Sequence, residues 1–475
     1  LYVISNVGDE NAVFGVNNGD IETLRTSLML RMYKCQIGGE IVVPHCPPYK
    51  LVAEKLRPSR DALLRSLRGS NPVSIEEVVD MYRARKRKIY SDAAEQFYAH
   101  GCTRQHSISR SFVKCEKTNT SKAPRNIQPR HPVYNLEIAC YLKPIEKRVQ
   151  KIFKRLFGQP TILKGYDANT LGGIMESKWS SFRSPVAIGL DAVKFDMHFS
   201  PAVLQWEHDI YNEAFRCPRL KQLLLWQMHN IGTGHCYDGS LKYRVKGKRF
   251  SGDINTSLGN CLVMCSMLHS FFKSHGIQGQ LANNGDDCVV FLEEEDVDVF
   301  TKSIEQWFGT LGFRITLEKP VYALEEIEFC QCHPLPVNGR YRMVRNIPTA
   351  LSKDACSIYD FQNEVAWRRW LYQVGECGLA LCSGVPIMEE YYSAFMRNGI
   401  PSERNEHYFA NSGMVFMADG LVAHRLPITS DARWAVYAAW QYTPDEQVAL
   451  EERYRQLVLN WGDGPGDESA FIQHW

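Results

Sequence analysis

Gly285-Asp286-Asp287 sets two adjacent carboxylates beside a glycine, between two apolar runs. Asp191 and Asp196 stand upstream, spaced as Asp191-Ala-Val-Lys-Phe-Asp196. Carboxylates gathered at a tight turn can bind Mg²⁺, and two such ions can drive phosphoryl transfer. The tripeptide alone is a weak signal. Its weight comes from the patterns that precede and follow it in order.

Those acids need elements that hold them. Pro185 to Leu190 is a short apolar run ending at Asp191, a buried strand that delivers a carboxylate at its end. Ser200-Pro201 predicts a helix start, with Ser as N-cap and Pro at the first position. A second helix is expected from Asn255 or Thr256 through Leu262, Leu268 and Phe272 to a stop at Gly276. Gly285-Asp286-Asp287 and the run Cys288 to Leu292 then form a turn and a buried strand. The order strand, helix, helix, strand–turn–strand predicts an α+β core with antiparallel hairpin chemistry. Upstream, residues 1–80 read as an irregular region of short elements. Residues 74–100 read as one helix capped by Ser74, continued by the basic run Arg83 to Lys88, a solvated helix face. After about residue 346 the chain reads as mostly helical. Trp367, Trp370 and Leu371 share a face, and Thr443-Pro444-Asp445-Glu446 is a capping box for a helix that stops at Gly462.

The bulk numbers fit an ordinary globular protein of two or three subdomains: 475 residues, 44% hydrophobic and 23% charged. No stretch has the apolar length of a membrane span. The opening Leu1-Tyr2-Val3-Ile4 lacks Met and any signal-peptide pattern, so the chain reads as a processed product or a piece of a longer one, with any membrane anchor upstream of residue 1. The 15 Cys are scattered and read as free thiols. Cys330-Gln331-Cys332-His333 is too tightly spaced for a zinc knuckle and reads as buried thiols on a strand. His198 reads as a space-filling neighbour of the upstream acids. Net charge is only +2, but Arg83–Arg155 carries 18 Lys/Arg against 5 Asp/Glu, whereas Asn283–Cys330 carries 3 against 12. A basic segment beside an acidic one suits a protein that draws phosphates to a metal-binding centre.

Joining a nucleotide to an RNA 3′ end needs two cations, cationic groups for the triphosphate, polar groups that sense the ribose 2′-OH, and a proton donor for pyrophosphate. The chain supplies each in order. Asp191, Asp286 and Asp287 are the metal acids. Ser251-Gly252-Asp253-Ile254-Asn255-Thr256 followed by Asn260 is a glycine loop running into a helix, with hydroxyl and amide groups suited to a ribose. Lys319, after Thr316-Leu317-Glu318, is the candidate proton donor.

This ordered set resembles the viral RNA-dependent RNA polymerases, most closely those of tombusvirus-like positive-strand RNA plant viruses, over roughly Ser111 to Pro334. Asp191 to Asp196 resembles motif A, Ser251, Gly252, Thr256 and Asn260 with Arg249 just ahead resemble motif B, and Gly285 to Asp287 resembles motif C. Lys319 falls where motif D has its lysine, and Phe329-Cys330-Gln331-Cys332 where motif E forms the primer grip. Lys114, Glu116, Lys117, Lys122, Arg125, Ile127 and Arg130 resemble the basic motif F.

The resemblance implies a right-hand fold with fingers, palm and thumb: an antiparallel palm sheet backed by helices, and a helical thumb. Residues 1–182 would be fingers, 183–200 palm, 201–247 an insertion between fingers and palm, 248–345 palm, and 346–475 thumb. It implies two Mg²⁺ (or Mn²⁺) ions on Asp191 and Asp286 with Asp287 adjacent, and ribose recognition by Asp196, Ser251 and Asn260, within a nucleotide site that also takes in Gly252 and Thr256. Triphosphate or nucleobase contacts would come from Lys122 and Arg125, with Lys114 beside them, and a primer–template grip from Phe329, Cys330 and Arg130. The implied partners are single-stranded template RNA, nascent duplex RNA, NTPs and another viral replicase protein. Membrane contact would come only through a region absent from this chain, at membrane-associated replication complexes in the host cytoplasm. Two rivals are a reverse transcriptase on the same palm, disfavoured by Gly285 before the paired acids and by Asn260, and a catalytically silent RNA-binding scaffold, disfavoured because every acid is present.

Overall fold

The computed structural model describes residues 1–4, 7, 14–37, 39–404 and 413–461. At its centre lies a four-stranded antiparallel sheet in the order Ile315–Leu317, Pro185–Ala192, Asp287–Glu293, Gln280–Asn284. Alternate side chains of a strand point to opposite faces. Val186, Ile188, Leu190, Cys288, Val290 and Leu292 join the large core built with the helices Pro132–Phe157, Pro201–Phe215, Thr256–His275 and Val297–Thr310. Ala187, Val289 and Phe291 face a smaller cluster with Met175, Phe329 and Met343. Both faces are covered, which is why these strands read as unbroken apolar runs rather than as alternation.

The expected helix signals hold. Ser200 Oγ accepts from the Val203 amide, and Pro201 opens its helix. The helix Thr256–His275 ends at Gly276 in the left-handed region. The Thr443–Glu446 capping box forms, but its helix, Pro444–Gln456, stops before Leu457, and Gly462 lies outside the described residues. The predicted helix 74–100 is two helices, Ile75–Asp80 and Ala84–His100. The break at 81–83 lets Tyr82 fold back to stack on Tyr90, with ring centroids 4.5 Å apart. The basic run Arg83 to Lys88 is solvent-exposed, as read.

Residues 1–80 contain more regular structure than the sequence suggested, with helices Tyr49–Lys55 and Arg57–Leu67 packed into the large core. A second four-stranded sheet, Asn126–Ile127, Ser109–Val113, His229–Cys236, Gly239–Lys246, joins the basic segment to a hairpin inside the 201–247 stretch. The Ser109–Val113 and His229–Cys236 strands are parallel. The C-terminal helices enclose their own core around Trp367, Trp370, Tyr391 and Phe395. Tyr2–Val3 pairs with Cys356–Ser357, and Ile4 and Val7 enter that C-terminal core, apart from the rest of the 1–182 stretch. Among the described residues, no helix is long and apolar enough to cross a membrane.

Candidate active site

The strand Pro185–Ala192 carries Asp191 directly opposite Asp287 on the strand Asp287–Glu293. Directly opposed residues of an antiparallel pair lie on one face with their Cβ atoms about 5 Å apart, and like charges so placed repel. Asn284 pairs Asp287 on its other side, so Gly285 and Asp286 are the two residues of a hairpin loop. Gly285 has φ +84°, which the first position of such a turn requires and which Cβ-bearing residues rarely adopt. The buried Asn283 holds the turn by donating from Nδ2 to the Gly285 carbonyl at 2.8 Å and the Asp287 carbonyl at 3.2 Å.

Burial lifts the Asp286 carboxyl above its ordinary value; Arg125 opposes the shift and Asp191 adds to it. Burial also pushes Asp287 up to about 6, while the Cys330 hydrogen bond pulls it down and Asp286 raises it further. Asp287 Oδ2 accepts from the Cys330 amide at 3.0 Å. Cys330 sits with Gln331 in a second tight turn, both at positive φ, closed by Phe329–Cys332 backbone hydrogen bonds of 2.9 and 3.0 Å. Asp286 and Asp287 are thus each raised by burial and by a neighbouring carboxylate, with Asp191 across the strand pair. Among the described residues, no three His, Cys, Asp or Glu side chains are gathered closely enough to hold a metal ion.

Past Asp191 the chain turns at Lys194, φ +47°, into the short helix Phe195–His198, which brings Asp196 back to the site. Asp196 Oδ1 accepts from Asn260 Nδ2 at 2.8 Å, and Asn260 Oδ1 accepts from Arg249 Nε at 3.1 Å. Arg249 is ion-paired with Glu207, both side chains fully buried, and lies 4.3 Å over the Phe199 ring. Burial pushes Asp196 up to about 6, against the pull of Asn260 and Arg249.

Ser251 is fixed to the basic segment. Its amide donates to Gln128 Oε1 at 3.1 Å, and its hydroxyl lies 3.2 Å from the Asn126 carbonyl and from Gln128 Oε1. Gly252 passes so close that a Cβ there would lie 2.6 Å from the Gln128 carbonyl and Pro129 Cα.

Asp196, Ser251, Asp286 and Arg125 line one cleft; Asn260 is tied to it through Asp196, and Asp191 and Asp287 adjoin Asp286 on the strand pair. It treats other expected residues differently. Arg130 is fully buried: it pairs with Asp253, donates to the Ser107 carbonyl at 2.6 Å and Asn230 Oδ1 at 2.5 Å, and packs on Tyr134 and Phe250. It clamps the glycine loop and presents no surface to a nucleic acid strand. Phe329 is likewise core, 2% exposed, so only the turn Cys330–Gln331 beside it reaches outward. Thr256 Oγ1 donates to the Phe250 carbonyl at 2.6 Å, a stitch at the helix entrance rather than a group aimed at a ribose. Lys114 spends its charge on Glu116 at 2.7 Å, Lys122 is exposed in a loop outside the cleft, and Lys319 is exposed just beyond the edge strand Ile315–Leu317.

Sequence reasoning missed three cations of the cleft: Arg31, Lys194 and Lys248. They donate to backbone carbonyls of Pro124 (2.8 Å), Leu30 (2.8 Å) and Met197 (2.7 Å), and none joins an ion pair among the described residues. Lys194 lies between the two motif A acids and Lys248 just before the glycine loop, so their positions were visible in the chain. Nothing local marks Arg31. With Arg125, which is itself paired with Glu116 at 3.3 Å, they line the same cleft as Asp196 and Asp286, and cations so placed can receive phosphate oxygens.

Residues 1–462 match the model of a family described as viral RNA dependent RNA polymerase, and the chain belongs to that family. The RNA-directed RNA polymerase of Turnip crinkle virus is 40% identical over 473 residues, covering 97% of this chain and 60% of that protein. Those of Tomato bushy stunt virus and Maize chlorotic mottle virus are each 37% identical, over 94% and 93% of this chain and 55% and 46% of their own lengths. The chain thus spans about half to three-fifths of these relatives. They bear out the resemblance to tombusvirus-like polymerases read from the motifs. Membership implies a right-hand polymerase fold, and the structure is a mixture of helix and sheet in which helix predominates. Members of the family generally use divalent metal ions.

Proposed function

We propose that this chain is the catalytic portion of a polymerase that copies a positive-strand viral RNA genome from NTPs. The observation that carries this reading is the register of Asp191 opposite Asp287 with Asp286 in the intervening turn, in a chain of this family. The carboxylates fit two divalent cations, Mg²⁺ or Mn²⁺, with Asp191 and Asp286 as holders and Asp287 adjacent. When bound, such ions lower the pKa of the attacking 3′-hydroxyl and neutralise the leaving pyrophosphate.

The chain's own residues do the rest. Arg125, Arg31, Lys194 and Lys248 receive the triphosphate and align its α-phosphate with the nascent 3′ end. Asp196 and Asn260 recognise the ribose 2′-OH, with Ser251 holding the loop against the Asn126–Gln128 segment. Lys319, exposed and free to swing, protonates the departing pyrophosphate. The turn Cys330–Gln331 steadies Asp287 and supports the growing strand. In this reading the central sheet and its helices are the palm, the 109–130 segment and its sheet belong to the fingers, and the helices after residue 346 are the thumb. Template RNA and nascent duplex occupy the space between them. A further replicase protein, and membrane contact through residues outside this chain, place the work at cytoplasmic replication complexes of the host; the greater length of the relatives leaves room for such a region.

A homopolymer template tests this directly. With poly(rU) and Mg²⁺ or Mn²⁺ the chain should incorporate labelled ATP, not GTP and not dATP. Incorporation indifferent to template sequence, or none with either metal, would sink the proposal.

A further inference from the structure

A second basic feature lies away from the cleft. The helix Pro132–Phe157 turns Ile145, Val149, Ile152 and Phe153 into the large core. Its outer face carries Lys147, Arg148, Lys151, Lys154 and Arg155, with no acid between 147 and 155. Beside it ends the helix Arg57–Leu67, and the two enclose a groove lined by Ser66, Arg148, Lys151, Ile152, Lys154 and Arg155.

This groove is organised, unlike an ordinary solvated helix face. Arg148 donates to Ser70 Oγ at 2.7 Å and to the Ser66 carbonyl, and Arg155 donates to Ser66 Oγ at 2.8 Å. Two guanidiniums are thereby held side by side over the buried Ile152, while Lys151 and Lys154 stand exposed above them. Among the described residues none of these four cations joins an ion pair, although Arg60 on the neighbouring helix and Arg68 just past its end are both paired with Glu213. Four uncompensated charges at one groove cost self-repulsion that an anionic ligand would relieve.

We propose that the groove binds the phosphate backbone of single-stranded RNA, remote from the catalytic cleft. The reading that this chain handles RNA supplies the ligand. The geometry fits it: the nine helical residues from Lys147 to Arg155, eight rises of 1.5 Å, span about 12 Å, room for two or three consecutive phosphates of an extended strand. Pinned guanidiniums suit phosphate forks, and flexible lysines tolerate any sequence. A membrane surface fits less well, because no large apolar side chain of either helix is exposed to insert between lipids. The groove is also separated from the carboxylates: its helix packs on Thr256–His275, which lies behind the sheet, whereas Asp191 and Asp287 share the parity of Ala187 and Val289 on the sheet's other face. A strand seated here is held outside the site of synthesis.

The test compares the full chain with Lys151→Glu/Lys154→Glu and with the milder Lys151→Gln/Lys154→Gln, using fluorescence anisotropy on two labelled RNAs. One has about 8 nucleotides, short enough for the cleft alone, and one about 30. Losing two phosphate contacts at about 0.7 each should lower the salt-dependence slope for the long RNA by about 1.4 and weaken its binding at least tenfold in the Glu variant, with a smaller loss for Gln. Binding of the short RNA should stay within twofold. Equal loss at both lengths, or none at either, overturns the groove. Anionic phospholipid vesicles form a parallel arm: vesicle binding lost in the variants while long-RNA binding is unchanged overturns the RNA assignment. NTP incorporation on the short template reports the polymerase separately, so its failure leaves the binding result readable.

Discussion

Asn260 donates to Asp196 across 2.8 Å while its carbonyl oxygen accepts from Arg249, so its amide cannot flip without losing both partners. Arg249 is itself held by the buried Glu207, which also accepts from the Tyr211 hydroxyl at 2.9 Å. The network fixes a carboxylate and an amide at the cleft, where a ribose hydroxyl could pair with them. Sites built to pair a hydroxyl reject the analogue lacking it strongly, because their buried polar groups are left unmatched. Asn260→Leu should therefore cut the preference for NTP over dNTP at least tenfold, read as the ratio of kcat/KM values. An unchanged ratio with a uniformly lowered rate would remove Asn260 from sugar recognition.

Two glycines should fail in different ways when replaced by alanine. Gly285 has open space, with Asn260 Cβ at 3.8 Å as the nearest contact, so Gly285→Ala meets backbone strain alone, about 1 kcal/mol. Its stability should drop little while turnover falls at least tenfold as Asp286 shifts. Gly252→Ala drives a Cβ into the Gln128 and Pro129 backbone, so both thermal stability and turnover should fall. Thermal denaturation beside steady-state kinetics separates the cases; equal stability losses would contradict this account of the two loops.

Much of this site was legible in the sequence because its parts are local. An apolar run ending in Asp191, a glycine that only a hairpin turn explains, and Ser–Pro and Gly signals at helix ends are read within a few residues. What escaped depends on distant pairing. The His229–Cys236 strand is interrupted by Gly232 and Gly234, and its partner Ser109–Val113 lies more than a hundred residues earlier in the chain. Arg31 is held at the cleft by the Ala123 and Pro124 carbonyls, more than ninety residues further along the chain. The burial of Arg130 was likewise invisible: a basic residue in a basic segment reads as a nucleic-acid contact until Asp253, Asn230 and two aromatic rings are found around it.

Lys178 gives a pH signature. Its side chain is buried, its ammonium has no hydrogen-bond partner among the described residues, and burial pushes it down to about 7. The unfolded chain holds that proton up to its ordinary value of 10.5, so between those values unfolding takes up a proton, and stability contributed by this group rises with pH. The parent chain should gain on the order of 2 kcal/mol between pH 7 and pH 9 relative to Lys178→Met. The variant, lacking a buried unpaired amine, should also be the more stable of the two at pH 7. Denaturant titrations of both proteins at the two pH values measure this; parallel changes would show that Lys178 finds a partner or water.

The proposed polymerase activity depends on Asp286, in its turn beside the Asp191–Asp287 pair. The most direct measurement is single-turnover incorporation of labelled NTP on a short RNA template by the intact chain and by Asp286→Ala, with RNA binding followed in the same samples. Product from the intact chain, none above background from the variant, and RNA affinity equal within about twofold is the predicted result. Incorporation retained by Asp286→Ala would contradict the account, as would an intact chain that binds RNA and makes no product with either Mg²⁺ or Mn²⁺.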